Sequence, residues 1–249
     1  MNVETLEKMK TMKFYGMARA FTSCLEDGRL AKMTADEMLS FLVTSEWDDR
    51  QNRRIERSIR NARFRYNASV EKMYYGPERS LSKNEMMRFA DCSFIGKAES
   101  ILITGCTGSG KSYIASALGN QACLKGYKVY YMNIAKLFSK LKMMKADGSY
   151  LREITRIEKQ DLLILDDFGL QPLDNQNRSA LMELIEDRHG KRSTIITSQL
   201  PVKEWYDVIG EKTVADAILD RLVHDAHRID LEGDSMRKNR NIKNMKSNQ

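Results

Sequence analysis

The residues best suited to chemistry form one run, Gly105-Cys-Thr-Gly-Ser-Gly110-Lys111-Ser112. It fits G-x-x-x-x-G-K-[ST] at every fixed position. Glycine accepts positive φ and lets the backbone come close to an anion, so the loop can curl tightly round a phosphate. Successive N–H groups then form a nest, reinforced by the N-terminus of the helix that follows. The expected cradle is Gly105, Cys106, Thr107, Gly108, Ser109, Gly110 and, just inside the helix, Tyr113. Lys111 is placed to reach β- and γ-phosphates and Ser112 to ligate Mg²⁺. About 55 residues on, Leu162-Leu-Ile-Leu-Asp166-Asp167 ends an apolar run in two acids. A buried strand that delivers an acid at its C-terminal end belongs beside such a loop. Asp166 is then a metal-holding group, directly or through water, and Asp167 orients and activates the attacking water. Neither a metal-ligand pattern nor a disulfide framework competes with this reading. Cys24, Cys92, Cys106 and Cys123 are scattered, and His189, His224 and His227 do not join them in a zinc spacing.

These residues need a scaffold, and the apolar pattern supplies one. Ile101–Thr104, Lys128–Met132, Asp161–Asp166, Ser193–Thr197 and Arg228–Leu231 read as five strands, with helices between them. Strands alternating with helices predict an α/β fold with a mostly parallel sheet covered on both faces. Residues 100–233 form this domain. Residues 1–66 read as a helical N-terminal domain, 67–99 as a connector with short helical pieces, and 234–249 as a basic tail. Thr34-Ala-Asp-Glu37 resembles a capping box opening a helix. From Arg50 to Tyr66 the helical period puts Ile55, Ile59, Ala62 and Tyr66 on one face. Arg50, Arg53, Arg54, Arg57, Arg60 and Arg65 fall on the other. A second basic set, Lys136, Lys140, Lys142 and Lys145, lies on the helix after the second strand, where Met143 and Met144 read as core.

Composition narrows the class. The chain has 249 residues, 42% hydrophobic and 30% charged, which suits one or two domains with a true core. Three Pro and 14 Gly exclude collagenous and low-complexity chains. No apolar run is long enough for a membrane span and the N-terminus lacks the apolar core of a signal peptide, so no membrane partner is expected. A reduced, cytoplasmic setting is expected instead. The formal charge is +7, from 41 Lys+Arg against 34 Asp+Glu, which suits a nucleic-acid partner held through phosphates rather than read base by base. No helix-turn-helix or zinc-finger signature is present.

The set Gly105–Ser112, Asp166-Asp167, Thr197-Ser-Gln199, Asp220-Arg-Leu222 and Gly233-Asp-Ser-Met-Arg237 resembles the AAA+ ATPases. Leu165-Asp-Asp-Phe-Gly169 and Ile196-Thr-Ser-Gln-Leu-Pro201 are similar to the branch that holds the DnaC helicase loaders and the IstB transposition helpers of insertion sequences. The Glu46–Phe64 stretch is similar to the IstB proteins, so the resemblance covers nearly the whole chain. It implies a three-layer sandwich on a central parallel five-stranded sheet, with a helical N-terminal domain; in a departure from most AAA+ proteins only a short tail follows the fifth strand, so no C-terminal lid domain is expected. It implies ATP and Mg²⁺ as ligands, slow hydrolysis, head-to-tail homo-oligomers on double-stranded DNA, and a cognate transposase helped in choosing its target. Ser198 or Gln199 becomes the polar sensor near the γ-phosphate, Arg221 the finger offered to a neighbour's ATP, and Arg237 a second sensor. Helices inserted like that of Lys140, Lys142 and Lys145 touch the DNA backbone in loaders and initiators. The acid pair departs from the usual Asp-Glu and sets the second carboxylate one methylene back. Two alternatives stand beside this reading. One is a DnaC-like loader acting on single-stranded DNA, and the other a small-molecule P-loop kinase.

Overall fold

The computed structural model describes residues 2–233, 235 and 236. The chain divides into two compact units, Met1–Arg57 and Ser58–Gln249, with the boundary inside a long helix. The first unit contains α1 (Asn2–Thr11), α2 (Tyr15–Glu26) and the larger part of α3 (Ala35–Ala62). The capping box is formed: the Thr34 hydroxyl accepts from the Glu37 amide at 3.3 Å, and the Glu37 carboxylate accepts from the Thr34 amide at 2.8 Å. Phe14 offers α2 no side-chain cap. The buried Glu46 carboxylate supplies it from α3, accepting from the amides of Gly16 at 2.8 Å and Met17 at 3.2 Å.

The stretch from Arg50 does not stay helical to Tyr66. The helix stops at Ala62, and Arg63 turns into the left-handed region at φ 58°. Arg65 and Tyr66 therefore leave the helical face on which the periodicity sets them. Ahead of the sheet, the connector forms a 3-10 turn (Pro77–Arg79), α4 (Lys83–Ala90) and α5 (Ser93–Gly96).

The sheet unit then runs β1 (Ser100–Gly105), α6 (Lys111–Leu124), β2 (Val129–Asn133), α7 (Ile134–Ala146), α8 (Tyr150–Glu158), β3 (Leu162–Phe168), α9 (Asn175–Arg188), β4 (Ser193–Ser198), α10 (Trp205–Ile209), α11 (Lys212–Val223) and β5 (Ala226–Leu231). All pairings are parallel, in the order β2-β3-β4-β1-β5. Strands buried on both faces need apolar side chains on both sides of the pleat, which is why Leu162–Leu165 reads as one continuous run. Ile101, Ile103, Leu162, Ile164 and Ile195 face α4, α5, α6 and the end of α3. Leu102, Leu163, Leu165 and Ile196 face α7–α11. This is the expected three-layer sandwich. Strand bounds differ from the sequence reading by a residue or two. α10 was not foreseen, and Met143, read as core, is 72% exposed.

Register aligns the chemistry. Thr104 pairs with Ser198 and Asn133 with Asp166, so the C-terminal ends of β1, β4, β3 and β2 lie side by side. Among the described residues no helix is long and apolar enough to cross a membrane. The Arg237 assignment and the basic tail beyond Met236 fall outside the described residues.

Phe64 holds the segment after α3 against this sheet. A Cβ on Gly119 of α6 would lie 2.5 Å from the Phe64 ring and 2.7 Å from Ile164. Gly119→Ala is therefore expected to destabilise the chain by about 1–3 kcal/mol through overpacking. Urea unfolding of the two proteins checks this.

Candidate phosphate and metal site

The loop between β1 and α6 depends on glycine where the backbone turns left-handed. Gly110, at the N-cap of α6, has φ 97°, and a Cβ there would stand 2.9 Å from the Arg79 guanidinium. Gly105 has φ 143° and a Cβ would meet the Leu231 carbonyl at 2.5 Å. Behind the loop, buried Arg79 donates to the Ser109 carbonyl at 2.7 Å and to the Tyr74 carbonyl. The chain after β5 braces it from the side. The Met236 amide donates to the Gly108 carbonyl at 2.9 Å, and the Cys106 thiol to the Gly233 carbonyl at 3.1 Å. Lys111 spans the loop, its ammonium donating to the carbonyls of Gly105 at 2.7 Å and Cys106 at 2.8 Å. The loop is thus held open at the N-terminus of a 14-residue helix, an anion-binding arrangement.

Beside it lies the acid pair. Asp166 is fully buried, and a buried carboxylate must be matched by donors. Ser112 donates to its Oδ1 at 2.8 Å, and Thr197 donates to the same oxygen at 2.5 Å. Tyr131 and Arg65 donate to its Oδ2, Arg65 at 3.2 Å. Burial and the Asp166 charge push the Tyr131 phenol far above its usual range, so it stays a donor. Asp167 follows with φ 63°, at the register shift between Leu165 and Phe168. That left-handed turn carries the second carboxylate out of the alternation of the strand, a strain typical of functional sites. Its amide donates to the Thr197 hydroxyl at 3.0 Å, and its Oδ2 accepts from Asn133 and from Arg65, both at 3.0 Å. Asn133 also caps α7 through the Lys136 amide, so one side chain joins that helix to the acid.

A serine hydroxyl and a carboxylate in contact, next to an anion nest, are the hard oxygen donors that Mg²⁺ prefers. The residues present fit the ion. Ser112 and Asp166 would hold it, and it would supply positive charge to bound phosphate oxygens.

The two sensor candidates part company. Ser198 is buried, donates to the Phe168 carbonyl at 2.8 Å and accepts from the Leu200 amide at 3.1 Å, so its hydroxyl serves the turn. Gln199 reaches the loop, its Oε1 accepting from Thr107 at 2.6 Å. Arg221 lies elsewhere. It lines a cavity with Lys97, Ser100, Arg188, Arg192 and Thr194, at the N-terminal ends of β1 and β4. Its Nε donates to Glu186 at 2.6 Å and its NH1 to the Ala217 carbonyl at 2.8 Å.

The basic residues are unequal too. Arg50 pairs with Glu46 at 2.7 Å, and Arg53 with Asp49 at 2.7 Å. Arg54, Arg57 and Arg60 are exposed and make no ion pair among the described residues. Lys140 pairs with the buried Glu153 at 2.8 Å, Lys145 sits 4.7 Å from the Tyr150 ring centre, and Lys142 is exposed. Sequence reasoning missed Arg65, Arg79, Tyr131 and Asn133 as parts of the site. It placed Thr197 only within a motif.

The sequence profile of the IstB-like ATP binding protein family matches residues 7–244. An insertion sequence ATP-binding protein of Sinorhizobium fredii, y4pL, is 44% identical over 96% of this chain and 98% of its own. Among solved structures, the DnaC helicase loader is similar with a TM-score of 0.55 at 20% identity, covering 67% of this chain and 98% of that one. AMPPCP-bound DnaA from Aquifex aeolicus gives a TM-score of 0.60 at 18% identity, covering 74% of this chain and 56% of that one.

The double role of Thr197 generates a test. Thr197→Val keeps the shape but leaves the Asp167 amide and one Asp166 oxygen short of a partner. It is expected to cost about 1–3 kcal/mol in chemical denaturation, while Thr197→Ser restores most of the loss.

Proposed function

Since the chain belongs to the IstB-like ATP-binding proteins, and so is an ATP-binding AAA+ P-loop protein, we propose that it hydrolyses ATP with Mg²⁺ in head-to-tail assemblies on duplex DNA, helping a transposase engage its target in the cytoplasm. The observation that carries the assembly reading is the distance between Arg221 and the phosphate loop of its own chain. One lies at the start of β1 and the other at its end, roughly 16 Å of strand apart at ~3.3 Å per residue. An arginine so placed serves a neighbour's nucleotide better than its own, and contacts of that kind build rings or open helices. In this reading Arg221 leaves Glu186 on assembly and adds positive charge where the transition state becomes negative.

In this reading the remaining roles are assigned as follows. Loop amides from Gly105 to Gly110 and the Lys111 ammonium bind the phosphates, Ser112 and Asp166 hold the metal, and Gln199 senses the γ-phosphate beside Thr107. Asp167 accepts the proton of the attacking water and is held in position by Asn133. Exposed Arg54, Arg57, Arg60 and Lys142 are the stronger candidates for phosphate-backbone contacts, since Arg50, Arg53 and Lys140 already carry ion pairs. The insertion-sequence name of y4pL, across nearly the full chain, favours a transposase partner over a replicative helicase.

Lys111→Ala is expected to remove ATP binding, read by a fluorescent ATP analogue. Asp167→Asn keeps binding but lowers hydrolysis about 10²-fold or more. Arg221→Ala keeps ATP binding and lowers hydrolysis about 10³-fold. Mixing Asp167→Asn with Arg221→Ala, each strongly impaired alone, is expected to recover activity, because one site in the mixture then has both its base and a neighbour's arginine. Normal hydrolysis by Arg221→Ala overturns the finger assignment. Sedimentation with duplex and single-stranded DNA tests the nucleic-acid reading, and ATP-dependent preference for single strands would favour a helicase loader.

A further inference from the structure

Arg65 belongs to none of the roles above, yet its guanidinium occupies the centre of the acid pair. One nitrogen, NH1, donates to the Oδ2 atoms of both Asp166 and Asp167, at 3.2 and 3.0 Å. This is a built contact. Arg65 sits between two anchored neighbours. The Phe64 ring packs edge-on against Tyr131 at 6.2 Å and fills the space over Gly119. The Tyr66 ring lies 6.2 Å from Tyr113, with the guanidinium 5.7 Å from its centre. On either side Ala62 and Ala68 are buried in the core. Some burial opposes the charge, but hydrogen bonding to Asp166 and both carboxylate charges raise the Arg65 pKa further still. The Arg65 guanidinium thus stands on the Oδ2 atoms of both acids, while Ser112 donates to the other oxygen of Asp166, Oδ1, so the cation and the position where a hard dication would be held flank one carboxylate.

We propose that Arg65 is an intramolecular competitor of Mg²⁺: its guanidinium neutralises the Asp166 and Asp167 carboxylates on which the metal ion would draw, so docking of one weakens binding of the other. This rests on the Mg²⁺ reading of Ser112 and Asp166. A guanidinium and a dication on the two oxygens of one buried carboxylate repel each other. Removing a competitor that holds the site most of the time strengthens apparent metal binding by the reciprocal of the fraction of time the site had been free. Arg65 lies just beyond the end of α3, so metal binding also loosens the restraint on the chain that leaves the arginine-bearing helix. By linkage, a partner that holds that segment undocked favours the metal.

The test uses the full-length chain, with Arg65→Gln and Arg65→Lys. Binding of a fluorescent ATP analogue is titrated with Mg²⁺, and thermal unfolding is followed with Mg²⁺ alone. Arg65→Gln is expected to need about tenfold less Mg²⁺ for half-maximal nucleotide binding, with Arg65→Lys between it and the wild type. Without metal, Arg65→Gln leaves two adjacent carboxylates unneutralised and melts lower. Millimolar Mg²⁺ raises its Tm by roughly 2–4 °C while the wild type scarcely responds. An unchanged or higher Mg²⁺ requirement in Arg65→Gln overturns the proposal, and the wild type's own Mg²⁺-dependent nucleotide binding shows separately whether the metal site stands. Should Arg65→Gln fail to fold, the same comparison is made with Arg65→Lys, where an Mg²⁺ requirement equal to that of the wild type overturns the proposal.

Discussion

One buried carboxylate organises the end of the sheet that carries the phosphate loop. Asp166 has no solvent access, and its charge is sustained by Ser112 from the phosphate-loop helix, Thr197 from β4, Tyr131 from β2 and Arg65 from the segment after α3. Each partner arrives on a different piece of chain. An uncompensated charge in that position would cost several kcal/mol, so the partners must be in place together when the sheet closes.

The parallel sheet makes this convergence possible. With order β2-β3-β4-β1-β5, the ends of β1 and β3 are separated only by β4, so the loop, Gln199 and the acid pair arrive in adjacent rows. The helices on either face contribute packing rather than chemistry, with three exceptions. α6 starts at Lys111, α7 is tied to Asp167 through Asn133, and α11 carries Arg221 to the opposite end of the sheet. That polarity gives the subunit two unlike ends, which is what a head-to-tail assembly requires. The family to which the chain belongs and its DnaC- and DnaA-like fold agree with this architecture.

Much of the sheet domain was legible in the amino-acid order because local signals and tertiary needs coincide there. Leu162–Leu165 had to be apolar on both faces, and Gly105, Gly108 and Gly110 had to tolerate a loop that other residues resist. Thr34 and Glu37 announced their own helix start. The rest was hidden for physical reasons. Ile55, Ile59, Ala62 and Tyr66 keep helical spacing past the true end of α3, because no Gly or Pro marks the stop and Arg63 makes the left-handed turn. Arg65 looked like one more arginine on a solvated face. Arg79 looked like an ordinary connector residue, although it backs the phosphate loop across 30 positions of sequence. Tyr131 and Asn133 read simply as a strand and its end. Their importance exists only once β2 lies beside β3, and no periodicity encodes that.

The most direct test of this account is Mg²⁺-dependent ATP binding by Asp166→Asn, measured calorimetrically. The amide oxygen can still accept from Ser112 and Thr197, the Tyr131 hydroxyl can turn to accept from the new NH2, and Arg65 keeps Asp167, so the variant is expected to fold. It should retain the metal-independent part of ATP affinity, contributed by the loop and Lys111, and lose the part that Mg²⁺ adds. An Asp166→Asn protein whose ATP affinity responds to Mg²⁺ as strongly as the wild type does would contradict the assignment of this carboxylate as the centre of the site.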